Sequence, residues 1–140
     1  MPARHEWVKK NERMTDEKYQ PYFDYFNPDL YDPQEWARKA KEAGMKYVVF
    51  TTKHHDGICM VNSKDTDYKI TNTPYGKDVL RPLVDAFRAE GLRVGFYYSL
   101  IDWHNPDFTV DRVHPAWTTD KVQLEELNKD RNMDRYRKYM

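Results

Sequence analysis

The chain has 140 residues, and its 23 Lys and Arg balance 23 Asp and Glu, so the formal charge is zero. That balance excludes a broad electrostatic pull towards nucleic acid or an anionic membrane. The apolar share is 39%, the aromatic share 15% and the mean hydropathy −1.02. Such a chain is too polar for an ample core of its own and too aromatic for a disordered tail. It reads as a small polar domain or as a piece of a larger one.

No apolar run reaches the length of a membrane span, and the opening MPARHEWVKKNER lacks the apolar stretch of a signal peptide. The single cysteine, Cys59, cannot close a disulfide within the chain and reads as a small buried hydrophobe.

In chain order, Thr15 or Asp16 is placed to cap a helix through Tyr19, Tyr22 and Phe23, ending near Asn27-Pro28. These aromatic residues, with Tyr25 and Phe26, read as packing. A second helix is better punctuated: Asp32 as N-cap, Pro33 at the first helical position and Glu35 completing a capping box. Trp36, Ala40 and Ala43 recur at helical spacing and are expected to face the core, with Gly44 closing the helix. Tyr47 to Thr51 then reads as a short buried strand.

From Thr52 to Lys77 there is little periodicity, and a connection that long inside a compact domain is usually functional or disordered. Asp78 opens another helix with Leu80, Leu83, Val84 and Phe87 inward and Gly91 at its end; Arg93 to Tyr98 is the second strand. A second irregular stretch follows, and from about Thr119 a polar helix is expected to run to Met140, with Asp130 to Lys138 as a solvated face. Short turns before the strands and long, His-, Asp-, Trp- and Tyr-bearing loops after them are the asymmetry of parallel βα units in a (β/α)8 barrel. Two strands cannot close a barrel of about 250 residues. The fold class predicted is α/β, a partial (β/α)8 barrel of roughly two to three βα units.

Two constellations carry chemistry. The first is Lys53-His54-His55-Asp56-Gly57, straight after the first strand. Its imidazoles could serve a polar ligand as hydrogen-bonding groups, or join Asp56 and His104 around a metal, or satisfy one another structurally. The second is Tyr97-Tyr98-Ser99-Leu100-Ile101-Asp102-Trp103-His104. Aromatic walls with a few polar groups suit a sugar, though core packing is the reading for one of the two tyrosines and accounts equally for the other, and Trp103 and His104 could be loop-packing residues. From pattern alone, His5-Glu6-Trp7 is a frayed end.

Taken together, Glu6-Trp7, Tyr31-Asp32-Pro33-Gln34-Glu35-Trp36-Ala37, Ala43-Gly44-Met45-Lys46-Tyr47-Val48-Val49, Lys53-His54-His55-Asp56-Gly57, Asn72-Thr73-Pro74 and Tyr97 to His104 resemble the α-L-fucosidases of glycoside hydrolase family 29. The resemblance covers essentially the whole chain, so that residues 1–140 are expected to be one fragment of a (β/α)8-like catalytic domain with no second domain. It implies removal of terminal α-L-fucose from glycoconjugates with retention of configuration, through a covalent glycosyl-enzyme, with no metal and no organic cofactor. It gives fucose-hydroxyl contacts to His54, His55, Glu6, Trp7 and Tyr98, with Tyr97 as the alternative to Tyr98.

The resemblance also implies what to leave out. The family's nucleophilic aspartate and acid/base match positions beyond Met140, and its first strand would lie before Met1. Asp56 and Asp102 match neither catalytic motif, so no catalytic residue is assigned and the 140 residues alone are expected to be inactive. Ile58 stands where many relatives have Phe. The implied partner is a fucosylated glycan, with no nucleic acid and no membrane, and a homo-oligomer of the full-length parent is allowed. The compartment stays open, since family members are lysosomal, periplasmic or secreted. The alternatives are a non-catalytic sugar-binding fragment, a relic reading frame, or a metal-dependent barrel hydrolase.

Overall fold

Several helices of this chain start where a side chain can take the first free backbone N–H groups, as the computed structural model, which describes residues 5–140, shows. Asp32 accepts from Glu35 N–H at 2.9 Å to open α3 (Pro33–Glu42). Asp78 accepts from Leu80 N–H at 2.7 Å at the start of α4 (Leu80–Ala89). Asp120 accepts from Gln123 N–H at 3.1 Å to open α5 (Lys121–Asn128). The remaining elements are α1 (Val8–Asn11) after a 3-10 turn at His5–Trp7, α2 (Asp16–Asp24), strands β1 (Tyr47–Lys53) and β2 (Arg93–Tyr98), a 3-10 turn at Ile70–Asn72, and α6 (Met133–Tyr139).

The chain forms two compact units. One comprises Asp24–His54 and Ile58–Ser99, the other the residues up to Phe23, His55–Gly57 and Leu100–Met140.

In the first unit β1 and β2 pair in parallel, Tyr47 beside Arg93 through Thr51 beside Tyr97, with an irregularity before Lys53 meets Tyr98. The crossover between them contains α4, the connection a parallel pair requires. The core is Ala37 and Ala40 of α3 packed with Leu83, Ala86 and Phe87 of α4 and Leu92, and Val48, Phe50 and Val94 lie against it from the sheet. Burying such side chains stabilises by roughly 1.5–3 kcal/mol each for the larger ones. The long segment after β1 is more ordered than its lack of periodicity suggests. Cys59 is buried, bridges Lys53 and Lys69, and exchanges backbone bonds with Tyr68 and Ile70.

The structure departs from several expectations of the sequence. The buried stripe of α3 is Pro33, Ala37 and Ala40, whereas Trp36 and Ala43 are exposed. Trp36 instead sets its ring edge-to-face on Tyr31, 5.1 Å between centroids. At 3.6 residues per turn Trp36 stands about 100° round the helix from Ala37, and α4 packs on the Ala37 and Ala40 side. The strand β1 is longer than expected and open on one face. Tyr47 and Val49 are 65% and 54% exposed, because the helices cover only the Val48–Phe50 side.

In the second unit Tyr136 of α6 is fully buried, its ring against Phe108 and its hydroxyl donating to Leu100 O at 3.0 Å. Asn128 at the end of α5 fastens the loop beneath it. Its Oδ1 accepts from Val110 N–H at 2.7 Å, and its Nδ2 donates to Val110 O and Leu124 O. Contrary to expectation, the single terminal helix is divided in two. Asn132 breaks it, its side chain accepting from Asp134 and Arg135 N–H at 3.0 Å to start α6 afresh. An Asn in the middle of a helical pattern competes for backbone donors and does better as a cap. Likewise α2 stops at Asp24, short of Asn27-Pro28.

Candidate functional site

In the second unit, the turn Asp56-Gly57 follows directly on His55, and Gly57 adopts φ +92°. Only glycine takes this conformation without cost. The turn is also closely crowded: a Cβ on Gly57 would stand 2.6 Å from Asp102 Oδ1 and 2.7 Å from His104 Cβ. Asp102 is itself buried and accepts from the N–H groups of His104 and Asn105 at 3.1 and 2.9 Å. One residue on, Trp103 N–H donates to His55 O at 2.7 Å. The end of one loop is thus fastened to the start of another by backbone geometry rather than by chance contact.

This scaffold brings three rings together. The His55 imidazole meets Trp7 edge-on, 5.1 Å between centroids at 81°, and Trp103 at 5.3 Å and 52°. Trp7 and Trp103 complete the triangle at 5.6 Å and 73°. Trp7 is half-buried, and Glu6, beside it on the 3-10 turn, is exposed. The frayed-end reading of Glu6-Trp7 therefore fails on structural grounds: Trp7 is part of a packed cluster.

An ion pair that the sequence does not mark ties α1 to the start of α2. Lys9 in α1 is only 2% exposed, and its Nζ lies 2.6 Å from Asp16 Oδ1 at the start of α2. His104 Nδ1 approaches the same oxygen at 3.8 Å. Burial pushes the Asp16 carboxyl up, but His104 and the Lys9 ammonium beside it outweigh burial and hold the pKa at about 2. In sequence Lys9 is one charge among many in a polar stretch, and nothing local marks it. Asp56 is engaged too, accepting from the Tyr19 hydroxyl at 2.9 Å.

A cavity of about 260 Å³ in the same unit is lined by Lys9, Arg13, Asp16, Trp103, His114 and Arg131 among others. His114 is buried there, its Nδ1 accepting from Ala116 N–H at 3.0 Å. Burial first, then the charges of Arg131 and Lys9, lower its pKa to about 4. It is a neutral, structural imidazole.

In the other unit, His54 stacks on Tyr97, 5.8 Å between centroids and 28° between planes. Tyr98 lies under the ammonium of the fully buried Lys53, 4.8 Å from its ring centroid. Each tyrosine remains 40% exposed, enough to present an edge or hydroxyl to a ligand. Of the five residues singled out in the sequence, Trp7 and His55 touch, Glu6 precedes Trp7 in the chain, and His54 and Tyr98 belong to the other unit. Among the described residues no three His, Cys, Asp or Glu side chains converge as metal ligands, and no helix is long and apolar enough to cross a membrane.

Comparison with known proteins gives a consistent answer. The family model described as Alpha-L-fucosidase matches residues 1–140. An α-L-fucosidase of Dictyostelium discoideum is 34% identical over 110 residues, 78% of this chain and 24% of that protein. Among solved structures, α-L-fucosidase isoenzyme 1 from Paenibacillus thiaminolyticus superposes with a TM-score of 0.90 at 55% identity, covering 99% of this chain and 32% of that one. An α-L-fucosidase from Bacteroides thetaiotaomicron, solved as a trapped covalent intermediate with 2-fluoro-fucosyl fluoride, gives 0.78 at 36% identity over 96% of this chain and 28% of that one. The chain spans about a quarter to a third of the length of these relatives.

Proposed function

This chain belongs to the α-L-fucosidase family, and we propose that it carries part of the fucose-recognition surface of a retaining glycoside hydrolase acting on terminal α-L-fucose of glycoconjugates. The observation that carries the reading is the contact between Trp7 and His55, rings from distant parts of the sequence held 5.1 Å apart. Trp7 is half-buried and His55 only 8% exposed, so the pair offers a deoxy sugar part of the Trp7 ring and no more than an edge of the imidazole: the ring packs on C–H groups while the nitrogen bonds a hydroxyl. Glu6, adjacent and exposed, is assigned a second hydroxyl. His54 and Tyr98 are assigned hydroxyl contacts as well. Both keep part of their surface open.

The chemistry follows from the family reading. A carboxylate attacks the anomeric carbon, a glycosyl-enzyme forms, and water resolves it with a second carboxyl group acting first as acid and then as base. That the Bacteroides relative was trapped as a covalent intermediate supports this course. Neither role is assigned to Asp56 or Asp102. Asp56 is held by Tyr19, and Asp102 is 1% exposed with its Oδ1 taken by two backbone N–H groups. We read residues 1–140 as one segment of the catalytic domain, and β1, α4 and β2 as βα units of an eightfold barrel. The parallel pairing and helical crossover support that architecture.

The experiment is calorimetric titration of the 140-residue chain with L-fucose, alongside an aryl α-L-fucoside assay. Fucose is expected to bind, binding to weaken in His55→Ala, and no turnover to be seen. Wild-type affinity in His55→Ala removes His55 from the site. Turnover abolished by Asp56→Ala or Asp102→Ala overturns the assignment of catalysis elsewhere.

A further inference from the structure

Sugar-binding loops have to hold imidazoles in one orientation, because a hydrogen bond to a hydroxyl weakens steeply once its partner is displaced by about 1 Å. We propose that Trp103 is the positioning residue for His55 and Trp7, and that it acts without touching the sugar; this rests on the assignment of those two residues to fucose recognition. Trp103 is 2% exposed, so it has no face to offer a ligand. It nevertheless packs on both rings of the recognition pair, at 5.3 Å to His55 and 5.6 Å to Trp7.

Three constraints make it a rigid support rather than filler. Its own N–H holds His55 O at 2.7 Å, so main chain and side chain of Trp103 grip the same histidine. Its neighbour Asp102 occupies the space where a side chain on Gly57 would project, which fixes the turn two residues after His55. Its ring also meets Trp7 edge-on at 73°, and Trp7 leads into the helix whose Lys9 is paired with Asp16. The indole Nε1–H is buried and bonds to no acceptor among the described residues. Among the described residues, then, Trp103 contributes ring surface and a backbone bond, and removing the Nε1–H breaks no hydrogen bond to them.

That last point makes the test clean. Trp103→Phe keeps an aromatic ring of smaller area, and Trp103→Leu keeps bulk without a ring; both keep the backbone bond to His55. Two readouts are taken on the full chain: fucose affinity, and the ring-proton shifts and Trp7–His55 cross-peaks of His55 by NMR. The expected result is a graded loss, two- to threefold in the Phe variant and about tenfold in the Leu variant, the scale of one aromatic pair. His55 shifts should move in step while circular dichroism stays unchanged. Wild-type affinity and unmoved His55 resonances in the Leu variant overturn the proposal. Should that variant fail to fold, the Phe variant decides on the same criteria. His55→Ala separates the two readings. If it binds fucose normally, the recognition assignment fails, and the NMR shifts alone judge the positioning role. If it loses binding while Trp103→Leu does not, only the positioning role fails.

Discussion

Asp102 Oδ1 stands 2.6 Å from where a side chain would leave Gly57. The glycine also lies at φ +92°, so backbone conformation and available space both demand that no Cβ be present. A substitution here has no small way out, because the obstructing carboxylate is held by His104 and Asn105 N–H.

Gly57→Ala should therefore destabilise the chain by about 2–4 kcal/mol, combining left-handed strain with the steric clash. Urea unfolding followed by tryptophan fluorescence measures it, since Trp7 and Trp103 both report on this turn. A loss under about 1 kcal/mol would show that the Asp102 loop yields easily.

Asp16 predicts an acid-side dependence. Its folded pKa of about 2 lies below the ordinary value of 3.8, so its contribution is fully present above that value. As pH falls from about 4 to 2 the contribution is lost, because the unfolded chain takes up the proton first. The carboxylate is half exposed, and screening reduces the effect to the order of 1 kcal/mol. Asp16→Asn should flatten the stability profile across this window, and an unchanged profile would dissociate Asp16 from Lys9.

His114 acts in a higher window. Its folded pKa of about 4 is below the ordinary 6.5, so the neutral form is favoured by folding. The unfolded chain binds the proton first as pH drops, and stability declines from pH 6.5 towards 4, by up to about 3 kcal/mol. His114→Asn, which keeps an acceptor for Ala116 N–H, should remove most of that slope in thermal melts recorded at stepped pH. A slope that survives the substitution assigns the dependence to another group.

The two faces of α3 should respond oppositely to size. Ala37 is fully buried between helices, and Ala37→Leu is expected to cost about 1–3 kcal/mol through overpacking. Trp36 is 46% exposed and rests on Tyr31, so Trp36→Ala should cost about 1 kcal/mol or less. The reverse order of unfolding midpoints would restore the sequence's view that Trp36 faces the core.

Much of the local structure was legible because its causes are local. The caps at Asp32 and Asp78, both strands and the positive-φ glycines that end α3 and α4, Gly44 and Gly91, follow from residues a few positions apart. The motif residues that signalled a fucosidase are likewise contiguous, and the family match over the whole chain bears that recognition out.

What the sequence by itself determined, then, was where elements begin, that strands and helices alternate, and which family the chain resembles. Only the tertiary structure decided that Trp7 meets His55, that Trp103 is buried against both, and that Lys9 is a buried cation held by Asp16. The physical reason is one of range. Capping and turn conformation depend on bonds within a few residues, whereas burial and ring packing depend on which distant segments the chain closes upon. A tryptophan or a lysine has the same appearance in a sequence whether water or another ring is to be its neighbour.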